Sequence, residues 1–215
     1  MTEQTFTPAL GRLAPARFFD YVAAMIRERL WRGLTVMHLA PQPEETILDV
    51  GCGTGTLALL AARVQPRARV IGVDPDPEVL AVARGKAPDT EVRWVTAMGD
   101  TLTESVGAES VDAVMSSLVL HQCPLAMKSA ILESMFAALR PGGRLVISDY
   151  GLQRTPLMRL AFRIVQSLDG KTDTQPNADG ILPELIARAG FNDVREVEVV
   201  STITGSISIY VARKR

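Results

Sequence analysis

The sequence predicts an α/β fold: a doubly wound sheet of seven strands, mostly parallel, with a C-terminal antiparallel hairpin at one edge. Three observations carry this. Short β-rich runs alternate with amphipathic helical stretches from Thr46 to Leu139. Three closely spaced glycines follow the first strand, and the last two strand-like runs have no helix between them. Composition agrees, because 215 residues that are 47% hydrophobic and 22% charged describe an ordinary globular chain, not a disordered tail, a collagen-like repeat or a coiled coil.

Residues 1–14 are polar and carry Pro8 and Gly11, which predicts a loose start. From Pro15 to His38, Phe18, Tyr21, Val22, Met25, Ile26 and Leu30 recur at the three-to-four spacing of an amphipathic helix. Pro41 and Pro43 stop it. The chain thus divides into an N-terminal helical cap, residues 1–43, and a main domain, residues 44–215. Strands are expected at Thr46–Val50, Arg69–Val73, Val92–Thr96, Val111–Ser116 and Arg144–Asp149, separated by helices at Leu57–Val64, Pro77–Lys86 and Leu125–Leu139. Strand, helix, strand at this spacing builds right-handed crossovers and a parallel sheet. Two further helices, Leu157–Leu168 and Pro183–Ala189, precede Gly190. Val194–Val200 and Ser206–Ala212 follow, and residues 201–206 are too short for a parallel crossover, so these runs pair as a hairpin.

Charge and cysteine usage exclude several functions. Twenty-three Lys and Arg against 24 Asp and Glu leave a net charge of −1, without the basic surface that nucleic acid or an anionic membrane attracts. Cys52 and Cys123 make no CxxC pair, and with only His38 and His121 beside them no zinc site is expected. No apolar run reaches the roughly 18 residues of a spanning helix. The first ten residues carry Glu3 and no basic stretch, unlike a signal peptide. A cytoplasmic protein without stable membrane insertion is the expectation.

The chemistry is concentrated in Ile47-Leu-Asp-Val-Gly-Cys-Gly-Thr-Gly-Thr-Leu57. An apolar strand ends in Asp49 and runs into Gly51, Gly53 and Gly55 before a helix starts. Such a loop lets a ligand press on the backbone, at the strand ends where doubly wound folds bind ligands. The spacing is GxGxG and not the dinucleotide GxGxxG. A carboxylate at the loop mouth repels a pyrophosphate and attracts an ammonium or sulfonium. Asp74, 21 residues beyond Gly53 at the end of the second strand, suits a ribose diol. Together the two carboxylates describe a nucleoside that carries positive charge.

With these residues the sequence resembles the class I S-adenosylmethionine-dependent methyltransferases, and most of all the ubiquinone/menaquinone-biosynthesis enzymes and related small-molecule methyltransferases, whose fold is Rossmann-like. The likeness runs from about Glu44 to the C-terminus. Besides the glycine loop it rests on Gly72-Val-Asp-Pro-Asp-Pro77, Val111-Asp-Ala-Val-Met-Ser-Ser-Leu-Val-Leu-His121, Leu139-Arg-Pro-Gly-Gly-Arg-Leu-Val-Ile-Ser-Asp149 and Ala189-Gly-Phe191. The resemblance implies that Gly51, Cys52, Gly53 and Gly55 pack against the methionine part of the cofactor, with Asp49 near its amino group. It implies that Asp74 holds the ribose hydroxyls, and that Pro75 and Asp76 border the adenine. Ser116, Ser117 and Leu118 would line the methionine moiety, with His121 at the mouth of the site. Many relatives place Gly-Asp-Ala after the third strand; here Val95-Thr-Ala-Met-Gly-Asp100 stands there, so Met98 and Gly99 are the expected adenine contacts and Asp100 takes the acidic role only if it reaches the adenine amine.

Other residues have plainer readings beside functional ones. His121 is suited by pKa to act as a general base, or it caps the helix after Pro124. Cys52 reads as a small buried packing residue, and Cys123, beside Pro124, could lie near the acceptor, with a catalytic role disfavoured. Tyr21 and Trp31 read as packing, although Tyr21 could reach the cofactor. Arg27, Arg29 and Arg32 read as a solvated face or as a carboxylate or phosphate clamp, and Arg213-Lys-Arg215 as a solubilising tail.

The expected activity is transfer of a methyl group, by in-line displacement, to a small apolar or aromatic acceptor. The acceptor site should come from the N-terminal helix and residues 150–180, whose Leu157, Met158, Leu160, Phe162, Ile164 and Val165 also suit a homodimer contact. A non-catalytic S-adenosylmethionine-binding protein is the alternative. A nucleotide-dependent oxidoreductase is disfavoured by Asp49. A nucleic-acid methyltransferase is disfavoured by the lack of an Asn/Asp-Pro-Pro-Tyr-type motif where Ser116-Ser-Leu-Val stands.

Overall fold

The computed structural model describes residues 27–87 and 90–215. The expectations for residues 1–14, for Pro15–Ile26 and for Tyr21 lie outside the described residues. The first described helix, α1, is Glu28–Leu39, and it ends where Ala40 turns left-handed and returns its N–H to Val36 O, just before Pro41. Seven strands follow: β1 Thr46–Val50, β2 Arg69–Asp74, β3 Arg93–Thr96, β4 Val111–Ser117, β5 Leu139–Tyr150, β6 Asn192–Thr202 and β7 Gly205–Arg213. Between them run α2 Thr56–Val64, α3 Pro77–Lys86, α4 Leu102–Val106, α5 Leu125–Ala138, α6 Pro156–Asp169, α7 Lys171–Ala178 and α8 Leu182–Arg188.

The strand order is β3-β2-β1-β4-β5-β7-β6, parallel throughout except for β7, which runs antiparallel to both neighbours. The expected hairpin is therefore present, and its second strand slots between β5 and β6. Period-two alternation sends side chains to opposite faces. Ile47, Val70, Ala113, Met115 and Val146 pack under α1 and α2, whereas Leu48, Val50, Val73, Val114, Leu145 and Ile147 pack against α5 and α8. A third cluster of Trp31, Tyr150, Phe162, Val165, Ala178, Val200 and Ile207 seats α1, α6 and α7 beyond the strand ends.

Two helices were not expected from the sequence. α4 has five residues, too few to display a period, and α7 is polar with Pro176 inside it. α5 ends at Ala138, one residue before the expected Leu139, because Leu139 is already the first residue of β5. The C-terminal basic run also departs from expectation. Lys214 is buried, and its Nζ donates to Phe136 O and Leu139 O at 3.0 and 2.8 Å, so it caps carbonyls at the end of α5 rather than serving as a tail.

α1 is fixed firmly to the sheet. Trp31 is fully buried, and Thr35 bonds both Trp31 O and the Ser148 hydroxyl of β5. Arg144 of β5 reaches the last carbonyls of the helix at Leu39 and Ala40 and pairs with Glu45.

Candidate functional site

The carboxyl ends of β1, β2, β3 and β4 converge where the strand order reverses, since β1 continues to β2 on one side while β4 and β5 lie on the other. The glycine loop fills this crevice. Gly51 and Cys52 both donate their N–H to Val73 O, at 2.8 and 3.0 Å, which folds the loop over the end of β2. At Gly51 φ is +67°, and a Cβ there would lie 2.2 Å from Val119 Cγ2, so no larger residue fits. At Gly53 φ is +52° and a Cβ would meet nothing within 4 Å, so this residue borders open space. A tightly held loop with one bare backbone face lets a ligand lie directly against the main chain.

Asp49 is fully buried, and neither carboxylate oxygen has a hydrogen-bond partner. Burial raises its pKa to about 7. The Arg32 charge and the amide of Ala58 near the start of α2, which lies outside hydrogen-bond geometry, offset part of that rise, and Asp74 adds to it. A partnerless buried carboxylate is costly to fold, and a cationic group brought beside it would offset that cost.

Asp74 is held differently. Its Oδ2 accepts the N–H of Gly53 at 2.8 Å and its Oδ1 the N–H of Asp76 at 3.0 Å. Burial raises its pKa, and these two amides counter the rise. A carboxylate has about four acceptor positions, so two remain for a diol. Asp76 then caps α3 through Glu78 N at 2.8 Å, with Pro77 at the first helical position.

Pro75, Met98 and Gly99 stand half-buried beyond β2 and β3, at the side of the crevice expected to receive the adenine. Asp100 follows, and its Oδ1 is buried without a partner. Ser116 donates its hydroxyl to Val50 O at 2.7 Å, locking β4 to β1, so its side chain is committed to the sheet. Ser117, half-buried, lies 3.5 Å from Arg32 Nη1. Leu118 takes φ +56°, the left-handed region, and turns the chain sharply over the strand ends. Cys52 Sγ packs beside Gly72 inside the sheet, where burial pushes its thiol far up, so its contribution to the crevice is its backbone.

His121 lies in a 3-10 turn, Leu120–Gln122, and is 5% exposed. Its Nδ1 is 2.7 Å from Asp149 Oδ1 and its Nε2 3.4 Å from Asp169 Oδ2. Burial opposes its charge, yet the two carboxylates overcome burial and raise its pKa to about 9. The shift favours the imidazolium at neutral pH, with Nδ1 bonded to Asp149 and Nε2 paired with Asp169, and a ring protonated on both nitrogens has no lone pair for a general base. Asp149 also accepts the N–H groups of Val119, Leu120 and Tyr150 at 3.1, 2.7 and 2.7 Å. Ordering the 118–121 loop is thus the geometric role of the Asp149–His121 pair.

Two residues, Asp149 and Asp169, escaped assignment from the sequence. Asp149 ends β5 as Asp49 ends β1, and that parallel was the available signal. Asp169 sits at the far end of α6 and has no local signal. Of the basic cluster read as a solvated face or a clamp, Arg27 and Arg29 are exposed, whereas the Arg32 side chain is only 15% exposed. Among the described residues no helix is long and apolar enough to cross a membrane.

Residues 47–143 match the model of a family described as a methyltransferase domain. The chain is 35% identical over 161 residues to arsenite methyltransferase of Halobacterium salinarum, a match covering 72% of this chain and 39% of that protein. It is 29% identical over 163 residues to a ubiquinone/menaquinone biosynthesis C-methyltransferase of Syntrophotalea carbinolica, covering 74% and 67%. Against a malonyl-[acyl-carrier protein] O-methyltransferase of Methylococcus capsulatus it is 33% identical over 186 residues, covering 85% and 64%. The chain thus spans between 39% and 67% of the length of these relatives. Among solved structures, phosphoethanolamine N-methyltransferase 2 of Haemonchus contortus, in complex with S-adenosyl-L-methionine, superposes with a TM-score of 0.73 at 16% identity, covering 93% of this chain and 56% of that one. That likeness is one of fold.

Proposed function

We propose that the chain binds S-adenosylmethionine and moves its methyl group to a small apolar or aromatic molecule, a reading supported by the match of residues 47–143 to a methyltransferase domain. The carrying observation is Asp49, a buried carboxylate with no partner of its own at the mouth of a glycine loop. It fits an ammonium group. The bare backbone at Gly53 and the two spare acceptor positions of Asp74 fit a thioether chain and a ribose diol. Gly51, Cys52 and Gly55 contribute backbone, Pro75, Met98 and Gly99 flank the adenine, and the partnerless Asp100 Oδ1 is suited to its amine. Ser116 and Leu118 shape the wall beside the methionine part.

When bound, the cofactor supplies an electrophilic methyl on a sulfonium, and the chain's own groups orient the partners and exclude water. Asp49 and Asp74 fix the two ends of the cofactor. Asp149, with His121 beside it, holds the turn at residues 118–121, which would border the bound cofactor. In this reading His121 positions that turn and takes no proton. An acceptor that is already nucleophilic needs no base.

The acceptor class is supported by the apolar surroundings of the site. Trp31, Tyr150 and Phe162 cluster beside Leu118, and α6 presents Leu157, Leu160, Ile164 and Leu168 to solvent. The latter stripe also suits a second copy of the chain, which light scattering would reveal.

The test is calorimetric titration with S-adenosylmethionine, S-adenosylhomocysteine and NAD, followed by an assay for S-adenosylhomocysteine release across a panel of aromatic and apolar acceptors. Micromolar binding of the first two and turnover with a panel member is the expected result. Binding of NAD alone would refute the proposal.

A further inference from the structure

The helical excursion formed by α6 and α7 is pinned at its base and held by charge at its far end. At the base, Gln153 N donates to Ala178 O at 3.0 Å, and the Gln153 side chain exchanges hydrogen bonds with the backbone of Ser206 in β7. Phe162 and Val165, both buried, seat the middle of α6 on the third apolar cluster. The far end, residues 169–173, rests instead on two cations beside the 118–121 turn. His121 Nε2 lies 3.4 Å from Asp169 Oδ2. Lys128 of α5 is fully buried, and its Nζ donates both to Leu120 O and to Asp173 O, the latter at 2.9 Å.

This corner is weakly tied to its own helices. Gly170 takes φ +85°, and Pro176 inside α7 has no N–H, which leaves the carbonyl of Thr172 without its helical donor. The two ends also differ in what opening costs. Lifting α6 off the third cluster exposes apolar surface to water. Lifting the corner returns His121, Lys128 and Asp169 to water, and their regained hydration offsets much of the lost attraction.

We infer that residues 169–173 form a gate over the acceptor side of the site, held shut by His121 on Asp169 and by Lys128 on the Asp173 carbonyl. The inference deepens the methyl-transfer reading and rests on it for what passes the gate. The turn beneath the corner would border the bound cofactor, and its charged groups are sealed from solvent, with Asp149 1% and His121 5% exposed. An acceptor gains that turn when the corner lifts, and the corner's return excludes water from the transfer.

Cys123 reports on the gate. It follows the turn half-buried, its Sγ lies 3.3 Å from Val119 O, and the Asp173 carboxylate is among the charges that act on its thiol. The experiment labels the full chain with N-phenylmaleimide, an aromatic probe, and reads Cys123 and Cys52 separately by peptide mass spectrometry. Asp169→Asn should speed labelling of Cys123 by about 10–100-fold, the worth of a charge-assisted pair, and leave Cys52 unchanged. Amide hydrogen exchange should quicken in the same variant over residues 166–175 and not in β1, β4 or β5. Acceleration at both cysteines or across the sheet is a loss of global stability and overturns the inference, as does an unchanged Cys123 rate. The wild-type protein gives a check that needs no variant: residues 166–175 should exchange ahead of β4 and β5, and exchange only in step with those strands overturns the gate. Failure of S-adenosylhomocysteine to bind the wild-type chain would instead refute the methyl-transfer reading, and with it what the gate admits, whatever the labelling shows.

Discussion

Replacing Asp49 with Asn should make the free protein more stable while removing cofactor binding. The carboxyl pKa lies near 3.8 in an unfolded chain and at about 7 here. About three units at 1.36 kcal/mol each is a folding penalty of about 4 kcal/mol once the group is ionised. The direction follows from proton binding: the folded state holds this proton more tightly, so the penalty is absent below pH 3.8, grows between 3.8 and 7, and is complete above 7. Asn keeps the shape without the charge, at a cost of about 1–3 kcal/mol for a partnerless buried amide. At pH 8 the net gain is therefore about 1–3 kcal/mol, or roughly 3–10 °C in thermal midpoint for a chain of this size. At pH 5 most of the penalty is gone, and the advantage of the variant should shrink by about 2–3 kcal/mol. Thermal unfolding of both proteins at the two pH values measures this directly. Titration with S-adenosylhomocysteine at pH 8 should show a loss of about 100-fold or more, because a buried ammonium is left without its counter-charge. A stability difference that does not change with pH, or undiminished binding by Asp49→Asn, would refute the assignment of a ligand-seeking carboxylate.

Further outcomes follow from the same geometry. Asp74→Ala should weaken cofactor binding by about 1–3 kcal/mol in titration, and 5′-methylthioadenosine should lose as much as the full cofactor, since both carry the ribose. His121, its pKa raised to about 9 by Asp149 and Asp169 against burial, contributes stability that is complete below pH 6.5 and lost as pH rises through 9. The wild-type thermal midpoint should fall across that window more steeply than that of His121→Gln. With an acceptor in hand, the pH–rate profile should lack a rising limb near 6.5, which a free imidazole base would produce. Lys214→Met should lower stability by about 1–3 kcal/mol without changing cofactor affinity, because the carbonyls of Phe136 and Leu139 lose their buried donor. A midpoint unchanged by Lys214→Met would return that residue to a surface role.

Much of the fold was legible because its signals are local. β1 runs over Thr46–Val50 as expected, and α3 over Pro77–Lys86, since Asp76 and Pro77 announce its start. The hairpin of β6 and β7 followed from a link too short to cross the sheet. The helices α4 and α7 did not show, the first too short and the second too polar for periodicity to register. Within the site, the glycines, Asp49 and Asp74 were legible because their spacing along one βαβ unit fixes their meeting place. His121 was noticed, but its partners were not, since Asp149 and Asp169 come from distant strands and helices.

The sequence by itself determined the sheet, the glycine loop and the two carboxylates that face it. Each depends on neighbours within about 30 residues, where alternation, turn chemistry and motif spacing act. Only the tertiary structure decided what charge state and partner each group has. Whether Asp49 is solvated or stranded depends on the burial that α1 and α2 impose together. His121 is a base or an imidazolium according to two carboxylates that lie 28 and 48 residues away. Lys214 reads as a tail cation in a string of letters, and Arg32 as either a solvated cation or a clamp; the closed chain makes the first a helix cap and half-buries the second against Ser117. Burial and long-range electrostatics belong to the folded assembly, and no local pattern encodes them.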